Sequence, residues 1–177
     1  MDVLVVVDMQ TDFVDGALGT KEAVAIVPHV AARIEEGIAK GETVIFTRDT
    51  HFANYMDTQE GRNLPVPHCV FESEGWEIIP ELRGYAEGRE IINKPTFGSP
   101  VLGNALRNLN ENEEIRKITF IGLCTDICVI SNALMAKGFL WEAEVAVDAK
   151  CCAGVTPESH KTALAAMKPC QITIENE

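Results

Sequence analysis

The amino-acid sequence predicts an α/β protein, a three-layer sandwich in which helices cover both faces of a mostly parallel sheet of about six strands. Two features of the sequence support this prediction. Short runs rich in β-branched residues alternate with amphipathic segments, and the centres of these runs are almost continuously apolar. Such runs are typical of parallel strands that are buried on both faces. No linker or repeat interrupts the alternation, so residues 1–177 are expected to form one domain.

Six apolar runs are the predicted strands of this sheet. Each has the length of a strand and is bounded by polar or turn-forming residues. The runs are Val3–Val7, Thr43–Thr47, Glu90–Asn93, Lys117–Ile121, Glu144–Val147 and Gln171–Ile174.

Amphipathic segments between these runs are the predicted helices. A glycine after the last apolar position commonly ends a helix, and a threonine followed by proline commonly starts one. These signals predict helices at Pro28–Lys40 before Gly41, at Ser99–Leu109, at Asp126–Lys137 before Gly138, and from Thr156–Pro157 onward.

One segment, Arg48 to Trp76, is too long and too polar to fit the alternation. Loops of this length in compact domains are uncommon and usually functional. A short helix is expected to end the segment near Trp76 to Leu82. The segment is therefore a candidate for part of the functional site.

The net charge excludes several kinds of partner. The chain has 27 acidic and 15 basic side chains and a formal charge of −12. A surface of this sign is repelled by nucleic acid and by anionic membranes, because Lys and Arg supply most of the affinity for phosphate. A small-molecule substrate is the expected partner.

The N-terminus and the cysteines indicate the compartment. The apolar run Val3–Val7 is too short, and its flanks too acidic, for a signal peptide or a membrane span. The six cysteines show no zinc-finger spacing, and a chain of this length folds without disulfides. We therefore expect a cytoplasmic protein with reduced thiols.

Reactive side chains are predicted at the carboxyl ends of the strands, where open parallel sheets bind ligands. Asp8 follows the first strand, Lys94 the third, and Cys128 lies in the first turn of the helix after the fourth. A thiol becomes a nucleophile near a helix N-terminus, a cation and a base. The run Gly122–Cys128 can present backbone N–H groups to a developing oxyanion. These parts permit acyl transfer through a thioester.

A second cluster has the composition of an open metal site. Asp49 and His51 follow the second strand, and His68 lies further along the same loop, with Glu60 as a possible fourth ligand. Two imidazoles and carboxylate oxygens suit zinc, iron or manganese, and this ligand set does not separate them. Cys69 is a weaker candidate ligand. The remaining histidines, His29 and His160, are expected at the surface.

Three segments resemble the signatures of the isochorismatase-like cysteine hydrolases. They are Val7–Phe13, Lys94–Phe97 and Gly122–Val129, and they occur in the family's order along nearly the whole chain. Asp49 and His51 with His68–Cys69 resemble the metal motif of the nicotinamidase branch, whose members also serve as pyrazinamidases. The stretch Phe13–Leu18 is similar to that branch as well.

The resemblance implies a Rossmann-like fold with six parallel strands and assigns roles to residues. It implies a catalytic triad of Asp8, Lys94 and Cys128, a cis peptide at Leu123–Cys124, and an oxyanion hole formed by the amides of Cys124 and Cys128. It also implies one divalent metal, zinc first with iron or manganese as alternatives, that binds the pyridine nitrogen of the substrate. Phe13 and Phe97 occupy the positions of aromatic walls around the ring. Family members are commonly dimers or tetramers, so a homo-oligomer is expected.

The chain departs from the nicotinamidase pattern at two places. Nicotinamidases often carry a further histidine where this chain has Tyr55–Asp57, and Glu60 is the substitute that this chain offers. The Trp-Pro that often precedes the last histidine is replaced by Leu64–Pro67. The fourth ligand and the shape of the substrate pocket are where differences are expected.

The sequence thus predicts a metal-assisted cysteine amidohydrolase that converts nicotinamide to nicotinate and ammonia. A relative acting on isochorismate, N-carbamoylsarcosine or a ureido amide is the nearest alternative. An aspartate-dependent phosphatase using Asp8, Lys94 and Asp148 is a weaker one, because Gln10 stands where such enzymes need a second aspartate. A non-catalytic thiol sensor would use Cys124, Cys128 or the vicinal pair Cys151–Cys152.

Overall fold

A computed structural model describes residues 1–177 and contains a six-stranded parallel sheet. The strand order is β3-β2-β1-β4-β5-β6, and every neighbouring pair is parallel. The prediction of a parallel sheet of about six strands is confirmed. The strands are Asp2–Val7 (β1), Thr43–Asp49 (β2), Glu90–Lys94 (β3), Lys117–Leu123 (β4), Glu144–Ala153 (β5) and Ile172–Glu175 (β6).

Seven α-helices connect the strands. They are Thr11–Val14 (α1), Lys21–Lys40 (α2), Gln59–Asn63 (α3), Pro80–Ala86 (α4), Pro100–Asn112 (α5), Ile130–Phe139 (α6) and Pro157–Met167 (α7). Short 3₁₀ turns lie at Tyr55–Asp57, Glu74–Trp76 and Lys168–Cys170, and a π-helical turn lies at Thr125–Val129. None of these helices combines the length and the apolar composition needed to cross a membrane.

The central strand β1 shows why the fold has three layers. Val3, Val5 and Val7 belong to the apolar cluster that includes residues of α5, α6 and α7. Leu4 and Val6 belong to a second cluster with residues of α2 and α4. Successive side chains of a strand point to opposite faces, so a continuously apolar strand requires a helical layer on each side.

The strand order places a topological switch point between β1 and β4. The chain lays down β2 and β3 on one side of β1, then returns to place β4, β5 and β6 on the other. Connections leave these two central strands in opposite directions, so a crevice opens beyond their carboxyl ends. Asp8 and the Leu123–Cys124 peptide follow these two strands directly.

Several predicted helix boundaries are wrong. Helix α5 runs to Asn112 rather than Leu109, and α6 begins at Ile130, after a π-helical turn, rather than at Asp126. Helix α2 begins at Lys21 rather than Pro28, because the Thr20 hydroxyl accepts a hydrogen bond from the Ala23 amide and caps the helix. Pro28 lies in the helix interior, where the cost of one missing N–H is offset by buried apolar side chains along the helix. Gly138 does not end α6, which runs to Phe139, whereas Gly41 ends α2 in the left-handed conformation.

Several strands are longer than predicted or shifted. Strand β2 extends to Asp49, and β5 extends to Ala153. Asp148 therefore lies inside a strand rather than at its end. Strand β6 begins at Ile172, because Gln171 adopts a left-handed conformation with φ of 62°. The long segment after β2 also contains α3 and two 3₁₀ turns, which its polar composition does not reveal.

Gly122 is a position where the fold requires glycine. Its φ is 110°, and a Cβ atom built there would lie 2.1 Å from the carbonyl oxygen of Val7. Strands β1 and β4 approach each other here, at the end of the sheet that carries Asp8. A side chain would push apart the two strands that flank the switch point.

Gly122→Ala is therefore expected to lower the free energy of unfolding by about 3 kcal/mol or more, through the backbone clash and the positive φ. Gly138→Ala is the matched control, since a Cβ atom added at this exposed helical glycine would have no neighbouring atom within 4 Å. The control should stabilise the protein by up to about 1 kcal/mol. Urea denaturation of both variants measures the difference, and equal midpoints would contradict the argument.

Candidate active site

The three predicted catalytic residues meet in one buried cluster. Asp8 follows β1, Lys94 is the last residue of β3, and Cys128 lies in the π-helical turn after β4. The Nζ atom of Lys94 lies 2.6 Å from Oδ2 of Asp8 and 3.3 Å from Sγ of Cys128. All three side chains are buried. A single ammonium group thus bridges a carboxylate and a thiol.

Burial and pairing set the protonation of this cluster. Burial raises the pKa of the Cys128 thiol, and the neighbouring Asp8 carboxylate raises it further. Burial also raises the pKa of Asp8, while the Lys94 charge opposes that shift. The pKa of Lys94 is raised because nearby carboxylates outweigh the effect of burial, so its ammonium form persists. The resting thiol is therefore protonated and needs a base, and Asp8 is a carboxylate with increased basicity beside it.

The backbone of Asp8 is held in an unusual conformation. Its φ is 49°, in the left-handed region that residues other than glycine seldom adopt. The Asp8 amide donates to the carbonyl of Thr47 at 3.2 Å, and the Thr47 hydroxyl donates to Oδ1 of Asp8 at 2.6 Å. Strand β2 therefore fixes both the turn and one carboxylate oxygen, while the other oxygen faces Lys94. Backbone strain held in place by surrounding contacts is characteristic of functional sites.

The turn after β4 contains the residues predicted for an oxyanion hole. The Leu123–Cys124 peptide is cis, as the family resemblance implies. The carbonyl of Cys124 accepts hydrogen bonds from the amides of Ile127 and Val129, both at 3.1 Å. Leu123, Cys124 and Cys128 all line the same cavity. The turn thus places the backbone of Leu123 and Cys124 and the thiol of Cys128 at one wall of the cavity.

The four predicted metal ligands also lie together. Their ligand atoms are all within 4.8 Å of one another. Nε2 of His51 lies 2.9 Å from Oδ2 of Asp49 and 3.5 Å from Oε1 of Glu60. Nε2 of His68 lies 3.5 Å and 3.7 Å from the same two oxygens. Cys69 is not part of this cluster, so its weaker candidacy is not supported.

This arrangement fits a divalent metal ion. A tetrahedral ion with ligands at about 2.0–2.1 Å requires separations of about 3.3 Å between ligand atoms, close to those observed. Nδ1 of His68 hydrogen-bonds to the carbonyl of Val66 at 2.8 Å, which leaves Nε2 for a metal. Although burial favours the neutral acid, hydrogen bonds from His51 and His68 hold the pKa of Asp49 below its usual range. The carboxylate is therefore ionised, as a metal ligand must be.

The two clusters adjoin and share one cavity. Nζ of Lys94 lies 3.6 Å from Oδ1 of Asp49, so the lysine touches both clusters. A cavity of about 990 Å³ is lined by Cys128 and all four candidate ligands. Asp8 and Lys94 are buried and do not line the cavity, and Lys94 contacts the thiol that does.

The two predicted aromatic residues line the same cavity. The Phe13 ring packs against the His68 ring with their centroids 5.4 Å apart. Phe97 is about half exposed at 46%. Both side chains are therefore available to contact a planar ring that enters between the thiol and the metal ligands.

Sequence reasoning missed two buried amides that support the site. Gln10 donates to the carbonyls of Asp49 and Trp76 at 2.9 and 2.8 Å, and its oxygen accepts from the Asp49 amide at 2.7 Å. Asn132 donates to the carbonyls of Cys128 and Phe97 at 2.8 and 3.0 Å. Gln10 stands two residues after Asp8 and Asn132 four after Cys128, but this spacing does not indicate which distant groups the two amides contact.

Other sequence-based expectations have different outcomes. His29 is exposed, as expected, but His160 is half-buried and hydrogen-bonded to Thr125. Asp148 is buried inside β5 and accepts a hydrogen bond from Asn176, away from the cavity lining. The three acidic and basic groups required for the phosphatase alternative therefore do not converge. Cys151 and Cys152 are both buried in β5.

Known proteins resemble this chain over most of its length. The sequence profile of the isochorismatase domain matches residues 2–176. Nicotinamidase of Schizosaccharomyces pombe is 25% identical over 207 residues, covering 98% of this chain and 92% of that protein. The crystal structure of pyrazinamidase of Pyrococcus horikoshii in complex with zinc is 31% identical with a TM-score of 0.82, over 98% of this chain and 97% of that one. The crystal structure of N-carbamoylsarcosine amidase from Thermoplasma acidophilum is 26% identical with a TM-score of 0.80, and the match covers 100% of this chain and 98% of that one.

The extent of these matches settles the family. The profile covers nearly every residue, and a solved structure at 31% identity shares the fold along almost the entire chain. The three sequence motifs and the six-stranded parallel sheet agree with this assignment. The chain therefore belongs to the isochorismatase family.

Proposed function

We propose that this chain is a cysteine amidohydrolase that converts nicotinamide to nicotinate and ammonia. One observation carries the proposal: the Cys128 thiol, in contact with Lys94 and backed by Asp8, faces the same cavity as a four-ligand cluster. A nucleophile, a base and a cluster suited to bind a metal thus surround one space. The similarity to a nicotinamidase and to a pyrazinamidase, at 25% and 31% identity, supports a heteroaromatic carboxamide as substrate.

The first half of the reaction would form a thioester. Asp8 accepts the Cys128 proton, and the thiolate attacks the carboxamide carbon. The Lys94 ammonium, 3.3 Å from the sulfur, stabilises the negative charge at the moment of attack. The amides of Cys124 and Cys128 donate to the oxyanion. Asp8 then returns its proton to the nitrogen, the C–N bond breaks, and ammonia leaves.

The second half would release the acid. Asp8 removes a proton from water, and the resulting hydroxyl group attacks the thioester carbon. The C–S bond breaks, the carboxylic acid leaves, and the proton held by Asp8 returns to the Cys128 sulfur. One water is consumed for each ammonia and each nicotinate formed. Asp8 serves as base in both halves, which requires the raised pKa that burial produces.

Asp49, His51, Glu60 and His68 would hold one divalent metal ion, with zinc as the first expectation and iron or manganese as alternatives. When bound there, the ion would supply an electrophilic coordination position for a ring nitrogen of the substrate. Phe13 and Phe97 would contact the two sides of the ring. Together these residues would orient the carboxamide toward Cys128.

A second candidate function is hydrolysis of another amide or ureido compound by the same triad. The similarity to an N-carbamoylsarcosine amidase at 26% identity favours this alternative over other reaction classes. Metal content separates the two, because recognition of a ring nitrogen by coordination needs the ion. A thiol sensor is disfavoured: Cys151 and Cys152 are buried, and burial raises the pKa of Cys124 to about 12.

Ammonia release from nicotinamide, with metal content assayed on the same sample, tests the proposal. Cys128→Ala is expected to abolish release while the metal content stays unchanged, because the thiol is not a ligand. Cys170→Ala, at an exposed cysteine far along the chain, is the control and should match the parent. Turnover by Cys128→Ala would overturn the mechanism, and inactivity of the metal-loaded parent would exclude nicotinamide as the substrate.

Glu60→Gln tests the fourth ligand. Its carboxylate lies within 3.7 Å of both imidazoles, so removing its charge should weaken metal affinity by about tenfold or more. Asp57→Asn, an exposed carboxylate in the same segment, should leave the affinity unchanged. Competition with a chromogenic chelator measures both variants. Equal affinities would exclude Glu60 from the metal site.

Lys94→Met tests the ammonium. The change leaves the Asp8 carboxylate buried beside an apolar side chain, so the free energy of unfolding should fall by about 3–5 kcal/mol. Hydrolysis should fall even in samples shown to be folded, because the thiolate loses its neighbouring cation. Lys150→Met, an exposed lysine in β5, is the control for loss of one positive charge. Wild-type stability of Lys94→Met in urea denaturation would contradict the bridging role.

A further inference from the structure

A hydrogen bond links the nucleophile turn to a distant helix. Oγ1 of Thr125 lies 2.7 Å from Nδ1 of His160, and the two residues are 35 positions apart in the chain. Thr125 is fully buried and stands between Cys124 and Cys128, the two residues whose amides would bind the oxyanion. His160 is in the first part of α7. The contact therefore joins the interior of the turn to a separate element of the fold.

A second contact joins the same two parts of the chain. Oδ1 of Asp126 accepts a hydrogen bond from the Val155 amide at 3.1 Å. Gly154 packs so closely on α7 that a Cβ atom there would lie 2.8 Å from the backbone nitrogen of His160. Gly154 and Val155 also line the cavity. The connection between β5 and α7 is therefore packed against the nucleophile turn.

Helix α7, which carries His160, is held in place at its start and along its buried face. The Thr156 hydroxyl accepts from the Ser159 amide, and the Ser159 hydroxyl accepts from the Thr156 amide, so the helix start is capped from both sides. Leu164 and Met167 anchor the helix in the apolar core. Burial lowers the pKa of His160, so its ring is neutral at pH 7 and either tautomer forms one hydrogen bond with the threonine hydroxyl.

We propose that His160 is a positioning residue for the oxyanion hole, acting through the Thr125 hydroxyl on the turn that carries the amides of Cys124 and Cys128. The turn is already bonded internally through the carbonyl of Cys124. The bonds to the Cys124 carbonyl fix the internal shape of the turn, whereas the bond from Thr125 to His160 fixes the position of the turn relative to the sheet. Stabilisation of an oxyanion depends on donors held in advance at the right distance. The inference rests on the proposed thiol mechanism and extends it to a residue outside the cavity.

Four substitutions separate the hydrogen bond from its surroundings. Thr125→Val removes the hydroxyl at nearly constant volume, and Thr125→Ser retains it. His160→Ala removes the ring, and His160→Asn places an amide close to the former Nδ1 position. His29→Ala, at an exposed histidine of α2, is the matched control. Each variant is compared with the parent in kcat and KM for nicotinamide, metal content and urea midpoint.

Two further probes report on the thiol without amide hydrolysis. Iodoacetamide alkylates the Cys128 sulfur with loss of iodide and a proton, a displacement that builds no oxyanion. An aldehyde adds reversibly: its carbon bonds to the sulfur, and the thiol proton ends on the former carbonyl oxygen, at the place of the oxyanion. Pyridine-3-carbaldehyde resembles the proposed substrate, and butyraldehyde does not depend on pyridine recognition. Peptide mass spectrometry locates the alkylation, and competition between aldehyde and iodoacetamide measures the adduct affinity.

The expected result is a loss of kcat and of aldehyde affinity without a change in the other measured properties. Thr125→Val and His160→Ala should each lower kcat by about tenfold, a fraction of the roughly 10²–10³ seen when an oxyanion donor is lost outright. Their losses should not add in the double variant, since both remove one bond. Aldehyde affinity should fall by a similar factor, while KM, metal content and the alkylation rate stay within about twofold of the parent. Thr125→Ser should match the parent, and His160→Asn should recover part of kcat.

Two results would overturn the proposal. Unchanged kcat and aldehyde affinity in folded His160→Ala would show that the bond has no positioning role. If the alkylation rate, the metal content and the urea midpoint of His160→Ala all fall together with kcat, His160 stabilises the fold as a whole rather than the oxyanion hole. If the parent hydrolyses no nicotinamide, the substrate proposal fails, and butyraldehyde affinity still decides the role of His160 in either direction.

Discussion

The buried ammonium of Lys94 is the interaction on which the rest of the site depends. It lies 2.6 Å from Asp8, 3.3 Å from the Cys128 sulfur and 3.6 Å from Asp49. Removing a lysine from water is costly unless partners replace its hydration. Two carboxylates and a thiol do so here, and each comes from a different strand end. The lysine therefore holds together groups that would repel one another or change protonation state without it.

The sheet brings these groups to one place through strand order alone. β1 and β4 are central neighbours, and β2 lies between β1 and β3. Parallel strands direct their carboxyl ends to one edge, so residues that follow four separate strands share a rim. The buried apolar clusters on the two faces of the sheet pack its strands in place, and hydrogen bonds with Thr47 of β2 hold Asp8 in its left-handed conformation. Core strands of continuous apolar composition thus have an indirect role in the chemistry above them.

The fold and most of the cluster were predictable from the sequence because their signals are local. Apolar runs predict buried strands, and Asp8, Lys94 and Asp49 follow such runs. Pro28 misled the prediction because proline usually starts a helix, while the buried face of α2 already begins before it. Gln10, Asn132 and His160 were not recognised for a different reason. Each has a partner 33 to 66 positions away, and no spacing along the chain indicates which distant group an amide or imidazole will meet.

The four candidate ligands lie on different parts of the fold, and this arrangement has a consequence for resistance to proteolysis. Asp49 and His51 come from the end of β2, whereas Glu60 lies in α3 and His68 in the loop that follows α3. An ion bound to all four would close the segment from Asp49 to His68 into a ring, as a crosslink does, and its binding free energy would add to the stability of the closed form. Segments of low local stability are where proteases cut first. The resistance of the chain to degradation would then follow the supply of free metal in its surroundings.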